Sequence, residues 1–369
     1  MKINDITVFS YNAKPSSGIY VMSGGRKITG KQSIVIRVCT DDGIEGWAET
    51  CPLGSDYLPS SYAGEIEALK ELGTKVLGLD PRSPPAIAAV MDKAMISGMA
   101  AKAVIDMACW DAFGKSVGLP TYVLLGGNFT EDPPAFCVIP LGDPELGVKN
   151  ALAEFEKGFV AMQLKAGDDP LVDARRVKAI REALPDHVTV WADANGGWNL
   201  GQALIYARAL GPTIGVPLEQ PCRSLSDSAE VGRRTGLPIL LDECIATMAD
   251  LVTAHAAGVT GVNIKPSRVG GLTKARTLRD AAVALDMVVS SDDTWGCSLA
   301  TAQNLELAVS THRDRFRAVD LFTEWTTPMI AEIPRIKGDG RIDCSPLPGN
   351  GFGAIEAEIL GEPLFHITS

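Results

Sequence analysis

Residues 188–193 read VTVWAD, residues 214–219 read IGVPLE and residues 237–242 read LPILLD. Each of these apolar runs ends in an acidic residue, and the end positions are 26 and 23 residues apart. Runs that are apolar throughout are typical of parallel strands buried on both faces, and a charge at each end is typical of barrels, whose chemistry lies at the carboxyl ends of the strands. The stretch therefore predicts consecutive strands of a βα barrel.

Lysines extend this series on both sides of the acids. Lys165 ends the run VAMQLK, 28 residues before Asp193, and Lys265 ends VTGVNIK, 23 residues after Asp242. With Glu219 in the middle, five charges in the order Lys, Asp, Glu, Asp, Lys are predicted to converge at one end of the barrel. We interpret them as a divalent-metal site between two amines, which suits the removal of a proton from carbon.

The rest of the chain divides around this barrel pattern. Residues 1–130 show strand-like alternation and then helical periodicity, which predicts a separate α+β capping domain. Residues 131–339 alternate eight apolar runs with seven helical segments, and no phosphate-binding glycine turn follows the first run, so a closed barrel is favoured over an open sheet. Residues 340–369 break the rhythm and are expected to pack on the capping domain. The predicted fold class is α/β, a modified (β/α)8 TIM-type barrel with an N-terminal α+β capping domain completed by the C-terminal tail.

Composition and charge exclude several classes of protein. The 369 residues carry a net charge of −11 without a basic stripe, which argues against nucleic acid as a partner. No apolar stretch reaches the length of a membrane span and no signal peptide is recognisable, so we expect no membrane association and a cytoplasmic location. The eight cysteines are scattered, which predicts buried, reduced thiols. The expected partners are a small-molecule amino acid or betaine substrate and further copies of the chain in a homo-oligomer.

The predicted metal ligands are Asp193, Glu219 and Asp242. Carboxylates are hard oxygen ligands, which suit one Mg²⁺ per subunit, with Mn²⁺ as a substitute, better than zinc. Three carboxylates on neighbouring strand ends would repel one another unless a cation lay between them. The alternative is that each acid caps the helix that follows it, as a single Asp often does. Three acids in succession favour the metal, with Asn195 and Glu243 as supporting residues.

The predicted catalytic residues are Lys165 and Lys265, which flank the acids from opposite sides. A lysine that is partly dehydrated and beside a divalent cation is expected to have a lowered pKa and to act as a base near neutral pH. The alternative is two structural salt bridges to the neighbouring acids. One lysine on each side of the acids favours catalysis, and no predicted strand ends in a histidine that would act instead.

Loops at the same end of the predicted barrel supply weaker candidates. Asp292, Asp293 and Trp295 follow the seventh apolar run, and Glu324 and Trp325 follow the eighth. We interpret Asp292, Asp293, Trp295 and Glu324 as substrate-binding residues, with simple loop capping as the alternative. A secondary amine would favour the carboxylates among them.

Two stretches of the predicted capping domain are candidate lids over the barrel, although both also fit ordinary turns. One contains Tyr20, Ser23, Gly24 and Gly25, and the other spans residues 50–57. The second stretch contributes Tyr57 as a substrate-binding candidate. Tyr57, Trp295 and Trp325 together have the composition of an aromatic cage for a quaternary ammonium group.

Several segments together resemble the enolase superfamily, and within it the muconate-lactonizing branch, over essentially the whole chain. They are GIEGWAET, the helix AAKAVIDMACWDAFGKSVGLP followed by LLGG, the acids in WADAN, PLEQP and LLDE, and NIKPSRVGGLTKA. The resemblance implies Mg²⁺ on the three acids and acid–base roles for Lys165 and Lys265. The mandelate-racemase branch would place a histidine on the seventh strand, where this chain reads SSDD.

One position departs from the pattern of the branch. The second-strand motif there is usually Lys-x-Lys, whereas this chain reads Gln163-Leu164-Lys165. In the branch the outer lysine tunes the catalytic lysine and helps to hold a substrate carboxylate. Gln163 therefore remains a substrate-binding candidate, with an amide in place of the charge.

The segments ETCPLGSDYLPS and SSDDTWGCS are similar to members of the branch that act on proline betaine and hydroxyproline derivatives. This similarity implies dehydration of cis-3-hydroxy-L-proline, in which the α-proton and the 3-hydroxyl leave through an enediolate to give Δ1-pyrroline-2-carboxylate. The alternative is 2-epimerisation of proline betaine or 4-hydroxyproline betaine by proton transfer between two lysines. A non-catalytic barrel scaffold is a remote alternative, because no predicted ligand or lysine is missing.

Overall fold

The structure, a computed structural model, describes residues 1–211 and 215–368. Its N-terminal strands are β1 (Ile3–Pro15), β2 (Tyr20–Met22), β3 (Arg26–Ile28), β4 (Lys31–Thr40) and β5 (Glu45–Thr50). Strands β1, β4 and β5 pair antiparallel in chain order, whereas β2 and β3 form a separate hairpin. Side chains of β4 alternate between two buried faces, with Ile34, Ile36 and Val38 in one apolar cluster and Val35 in another.

Helices cover one side of this sheet. They are α1 (Tyr62–Val76), α2 (Pro84–Ala94), α3 (Met99–Val117) and α4 (Thr121–Leu124). Helix α3 lies directly against β5, and a Cβ added to Gly46 would fall 2.0 Å from the carbonyl oxygen of Ala108. Only glycine allows that approach, because any side chain there would collide with the helix backbone. The predicted α+β capping domain is confirmed.

Eight parallel strands then close into a barrel. They are β6 (Ala135–Ile139), β7 (Ala161–Lys165), β8 (Thr189–Asp193), β9 (Leu218–Glu219), β10 (Ile239–Leu241), β11 (Gly261–Ile264), β12 (Val288–Ser291) and β13 (Phe316–Asp320). The ring closes because β13 pairs with β6, with Val319 opposite Ala135. The predicted closed barrel is confirmed. The predicted run at 214–219 contributes only β9, and its first residue, Ile214, lies outside the described residues.

The barrel strands are connected by helices on the outside. They are α5 (Pro144–Glu156), α6 (Pro170–Ala183), α7 (Leu200–Leu210), α8 (Leu225–Thr235), α9 (Met248–Ala256), α10 (Pro266–Val269), α11 (Leu272–Ala284) and α12 (Ser298–Val309). Most begin at a residue whose side chain accepts a hydrogen bond from the first turn, such as Asp143, Asp169 and Asn199. Helices α11 and α12 lack such a side chain of their own.

The interior of the barrel decides which side chains reach its mouth. A small apolar cluster inside the ring consists of Phe136, Ala161, Trp191, Leu240 and Ala318, from five strands. Side chains on a strand alternate between its two faces, so residues two or four positions further along point into the same space. This register directs Lys165, Asp193, Asp242 and Asp320 towards the axis at the carboxyl ends of the strands.

The chain returns to the capping sheet after the barrel. Strand β14 (Thr326–Thr327) and strand β15 (Phe365–Thr368) both pair antiparallel with β1, and a one-turn helix, α13 (Ala357–Leu360), lies between them. The first of these contacts lies before residue 340, where the tail was expected to begin, so the two parts of the chain interlace more closely than predicted. None of the helices in the described part of the chain is long and apolar enough to span a membrane.

Candidate active site

The barrel mouth brings together the five charged residues of the sequence series. None of Lys165, Asp193, Glu219, Asp242 and Lys265 has more than 5% of its surface exposed. Lys165 lies on β7 and Lys265 directly follows β11, and these strands are four positions apart in the ring of eight. The two amines therefore lie on opposite sides of the mouth, with the three acids between them.

Lys165 is held by two acceptors on the neighbouring strand end. Its Nζ donates to Asp193 Oδ2 at 2.7 Å and to Asn195 Oδ1 at 3.3 Å. Burial alone would lower the pKa of Lys165, but Asp193, Tyr20 and Glu219 outweigh it and raise that pKa. The adjacent carboxylate of Asp193 stabilises the ammonium form of Lys165. The lowered pKa predicted from the sequence is that of a lysine beside a bound divalent cation, and it stays a prediction.

Lys265 contacts more acceptor groups than Lys165 does. Its Nζ lies 3.0 Å from both Asp242 Oδ2 and Asp292 Oδ2, and it donates to the hydroxyl of Tyr57 at 2.9 Å. Burial acts to lower the pKa of Lys265, yet Asp242 and Asp292 together raise it well above the usual value. Tyr57 thus contacts a predicted catalytic lysine through its hydroxyl, and it comes from the capping domain.

Glu219 occupies the centre of the series and is held by neutral donors. Its Oε2 accepts from Trp191 Nε1 at 2.6 Å and from Gln163 Nε2 at 3.2 Å, and its Oε1 accepts from Asn263 Nδ2 at 3.3 Å. Burial, and then the charges of Asp193 and Asp242, raise the pKa of Glu219. Gln163, which replaces the outer lysine of the branch, therefore steadies a predicted metal ligand as well as lining the cavity.

The donor set fits a hard divalent cation. Within residues 1–211 and 215–368, no three acidic, histidine or cysteine side chains are already gathered as a ready-made ligand group, because Asp193 is turned to Lys165 and Asp242 to Lys265 and Arg268. Asp193 and Asp242 are nevertheless close enough to Glu219 to raise its pKa, because the carboxylates repel one another. A cation bound between them would remove that repulsion. Carboxylate oxygens are the ligands that Mg²⁺ prefers.

A small cavity adjoins the two lysines, with a volume of about 30 Å³. Five of the predicted substrate-binding residues line it, namely Tyr57, Gln163, Asp292, Asp293 and Trp295. Asp292 faces Lys265, whereas the carboxylate of Asp293 accepts from Ser267 Oγ at 2.8 Å and from Thr294 N at 2.7 Å. Asp293 therefore braces two loops. Asp292 is held as well, because it also accepts from Asn263 Nδ2 at 3.2 Å and from the backbone N–H of Asp293 at 2.6 Å.

Glu324, the sixth candidate, does not join the cavity. It is exposed and lies at the end of a 3-10 turn, Phe322–Glu324. The turn directs Phe322 and Trp325 inwards and Glu324 outwards. The prediction for Glu324 is wrong because a single tight turn, which the sequence did not reveal, reverses the direction of the side chain.

Aromatic side chains form one wall of the cavity. Trp295 and Trp325 meet edge to face with ring centroids 4.8 Å apart, and Tyr20 lies 5.5 Å and 5.3 Å from them. Tyr57, the third member of the predicted cage, instead points its hydroxyl at Lys265. Tyr20, from the first capping loop, takes its place in the aromatic cluster.

Sequence reasoning missed two residues of this site. Asp320, at the end of β13, is buried in the cavity wall, accepts from Trp325 Nε1 at 3.0 Å and has a pKa raised well above the usual value by burial and by Asp292. Arg268 ion-pairs with Asp242 from the turn after Lys265. Asp320 ends strand β13, but the apolar run continues with Leu321 and Phe322, so the pattern of a run that ends in a charge did not identify it.

Both capping loops contact the mouth of the barrel, where the lids were predicted. Ser23 Oγ donates to the carbonyl oxygen of Ala166, next to Lys165. In the second loop, the hydroxyl of Thr50 lies 2.8 Å from that of Ser267, and Thr294 Oγ1 donates to Cys51 O at 2.8 Å. The cavity is therefore closed by two domains.

Comparisons with known proteins agree with this arrangement. The enolase C-terminal domain-like family matches residues 148–357, and the N-terminal domain of the mandelate racemase/muconate lactonizing enzyme family matches residues 6–126. A cis-3-hydroxy-L-proline dehydratase of Roseibium aggregatum is 39% identical over 368 residues, or 99% of each chain. The chain belongs to the enolase superfamily.

Other members of the enolase superfamily extend this comparison. An N-succinyl-L-Arg/Lys racemase of Bacillus cereus is 29% identical over 84% of this chain and 85% of its own. A crystal structure of an enolase superfamily member from Roseovarius nubinhibens, complexed with magnesium, covers 100% of both chains at 33% identity with a TM-score of 0.93. The resemblance recognised in the sequence is confirmed, and the protein is an enolase superfamily enzyme with both dehydratases and racemases among its relatives.

Proposed function

We propose that this enzyme is a Mg²⁺-dependent dehydratase that converts cis-3-hydroxy-L-proline to Δ1-pyrroline-2-carboxylate. The observation that carries the proposal is the pair of buried lysines on opposite sides of one cavity, with Lys165 and Lys265 each held against an acid. The dehydratase of Roseibium aggregatum, which matches over nearly the whole length of both chains, supports the choice of substrate.

Two amines on opposite faces suit an anti elimination. In cis-3-hydroxy-L-proline the hydroxyl shares a face with the carboxylate, so the α-hydrogen lies on the other face. One lysine removes the α-proton as a base, and the other donates a proton to the departing hydroxyl, so that the C–H and C–O bonds break and water leaves. The resulting enamine tautomerises to Δ1-pyrroline-2-carboxylate.

The acids supply the place for the metal. Mg²⁺ held by Asp193, Glu219 and Asp242 would bind the substrate carboxylate and stabilise the negative charge that develops on it. Gln163 and Trp191 hold Glu219 in position by donating hydrogen bonds from their N–H groups to its Oε2. Removing water from this buried mouth strengthens each of these electrostatic interactions.

Carboxyl groups in the cavity favour a substrate with an N–H donor. Asp292 and Asp320 both line it, and their acceptor oxygens suit a secondary amine such as the ring nitrogen of hydroxyproline. A quaternary ammonium has no N–H group to offer them.

The aromatic wall supports a second candidate function, the 2-epimerisation of proline betaine or 4-hydroxyproline betaine. Tyr20, Trp295 and Trp325 present ring surfaces of the kind that attract a quaternary ammonium. In that reaction the lysine opposite the base returns a proton to the other face of the α-carbon, and no bond to oxygen breaks.

The deciding experiment incubates the enzyme and Mg²⁺ in D₂O with cis-3-hydroxy-L-proline and, separately, with proline betaine. We expect Δ1-pyrroline-2-carboxylate from the first substrate, detected by NMR. Racemisation and α-deuteration of the betaine, without elimination from hydroxyproline, would establish the epimerase instead. Elemental analysis of the purified protein provides the control for the scaffold alternative, because a scaffold would hold no divalent cation at near-stoichiometric occupancy.

A further inference from the structure

A second space, which we call the side chamber, lies behind one wall of the active cavity. Its volume is about 160 Å³, against about 30 Å³ for the active cavity. The side chamber is enclosed by the capping loop from Pro52 to Ser60, by Met99 and Ala100 at the start of α3, and by the barrel loop that carries Ser267 and Arg268. Its lining is mostly apolar, and an apolar cavity of roughly 150 Å³ is able to hold a molecule the size of benzene.

Two residues, Leu53 and Thr294, line both spaces and separate them. Thr294 is fixed, because its Oγ1 donates to Cys51 O at 2.8 Å and its backbone N–H donates to Asp293. Leu53 has only apolar contacts, in the cluster that includes Trp295, and is 6% exposed. Of the two residues that line both spaces, Leu53 is therefore the one held by apolar packing alone.

The walls of the side chamber on the barrel side are rigidly held. Arg268 donates from Nε to Ile245 O at 2.8 Å, and Ser267 Oγ donates to Asp293 at 2.8 Å. Glu243, which also borders the chamber, accepts from Asn195 at 3.0 Å, and Asn195 lines the active cavity. The two spaces are thus neighbours in a fixed frame, and the side chain of Leu53 takes no part in the hydrogen bonds that hold it.

We propose that Leu53 determines substrate size, by excluding from the active cavity the fused-ring and ring-enlarged cyclic amino acids for which the side chamber has room. The inference rests on the proposed function only in that an α-carboxylate anchors the ligand at the mouth. The side chamber is then an apolar subsite closed off by one residue.

Equilibrium binding of two ligands of different size tests the proposed role of Leu53 without measuring turnover. Pyrrole-2-carboxylate and indole-2-carboxylate share a carboxylate and a planar five-membered ring, and the second adds a fused benzene ring. Isothermal titration calorimetry in the presence of Mg²⁺ should show that wild type prefers the smaller ligand, and that Leu53→Ala shifts the ratio of the two dissociation constants towards indole by at least about tenfold. An unchanged ratio would overturn the proposal.

Matched variants distinguish an effect of Leu53 from a general effect of changing the capping loop. Leu58→Ala makes the same substitution in the same loop, but Leu58 lines only the side chamber, so the ratio should stay at the wild-type value. Adding Ala100→Leu to Leu53→Ala should fill the chamber and cancel the gain. Leu53→Val, a smaller change, should give an intermediate ratio and serves if the alanine variant folds poorly. An equal gain in Leu58→Ala would also overturn the proposal.

Xenon binding distinguishes failure of this inference from failure of the proposed function. If pyrrole-2-carboxylate does not bind wild type, the proposed carboxylate site is wrong, and the wall is tested by crystals under xenon pressure. Xenon confined to the side chamber in wild type and extending into the active cavity in Leu53→Ala supports the proposal. The same xenon positions in both proteins contradict it.

Discussion

Buried acids at the barrel mouth face one another, whereas buried acids between the capping domain and the barrel each stand among hydrogen-bond donors. At the mouth, Asp193 and Asp242 raise the pKa of Glu219 beyond the effect of burial. At the interface, Asp106 of α3 accepts from the backbone N–H of Thr273 at 2.9 Å and also from its hydroxyl. Both sets of acids accept hydrogen bonds, so the difference is that the acids at the mouth also lie beside one another.

The interface acids complete helices that belong to the other domain. Helices α11 and α12 have Gly271 and Cys297 at their starts and no side-chain cap of their own. Asp106 caps α11, and Glu49 of β5 accepts from the backbone N–H groups of Cys297 and Ala300 at 3.1 Å. A helix start left unpaired would cost stability. The comparison shows that burial alone does not mark a functional acid, and that the partners of the acid do.

The largest expected effect is on turnover at the mouth. Lys265→Ala and Lys165→Ala should each lower kcat by about 10²- to 10⁴-fold, because each removes a proton-transfer group. Circular dichroism should show the fold retained, and the stereospecific exchange of the α-proton in D₂O should identify which lysine is the base. Turnover near wild type in either variant would contradict the two-lysine mechanism.

The next largest effect is on metal binding, and it tests whether the three acids at the mouth repel one another. Glu219→Gln should weaken Mg²⁺ binding by more than about 100-fold, measured by calorimetry, since even residues that only support a ligand change affinity by 10- to 100-fold. The same variant without metal should be at least as stable to heat as wild type, because one of three converging charges is gone. A clear fall in its melting temperature would show that Glu219 is a structural acid like those at the interface.

Removing an acid at the interface between the capping domain and the barrel should lower stability and leave turnover unchanged. Asp106→Ala is expected to lower the free energy of unfolding by about 1–3 kcal/mol, because the N–H of Thr273 loses its acceptor, while kcat stays near wild type. Urea denaturation measures the first and a turnover assay the second. Glu182→Ala is the control, because its ion pair with Lys178 is exposed on both sides and should leave the free energy of unfolding near that of wild type.

The smallest effect is a change with pH in the cost of Asp106→Ala. Burial raises the pKa of Asp106 from 3.8 to about 7 despite the hydrogen bonds from Thr273. A raised pKa means that the folded state binds the proton more tightly, so the contribution of Asp106 is present at low pH and is lost as the pH rises through about 7. Urea denaturation should therefore show a greater cost at pH 5 than at pH 8, and a cost that grows with pH would mean that hydrogen bonding outweighs burial.

Much of the mouth was predictable because its signals are local. A run such as VAMQLK places Lys165 at the end of a buried strand, and the alternation of faces then directs it inwards. Asp320 was missed because its apolar run continues with Leu321 and Phe322. Glu324 was misplaced because its direction depends on a single 3-10 turn. Tyr57 lines the cavity as predicted, but its hydroxyl meets Lys265, a contact that depends on how its loop packs on the barrel.

The sequence by itself determined the barrel, the capping domain and the order of acids and lysines around the mouth, since strand length, apolar runs and their charged ends are properties of neighbouring residues. Only the tertiary structure decided that Tyr57 reaches Lys265, that Leu53 lines two cavities and that Glu49 and Asp106 complete helices of the barrel. Each of these contacts joins residues far apart in the chain. Their geometry depends on how two domains pack together, and no local pattern carries that information.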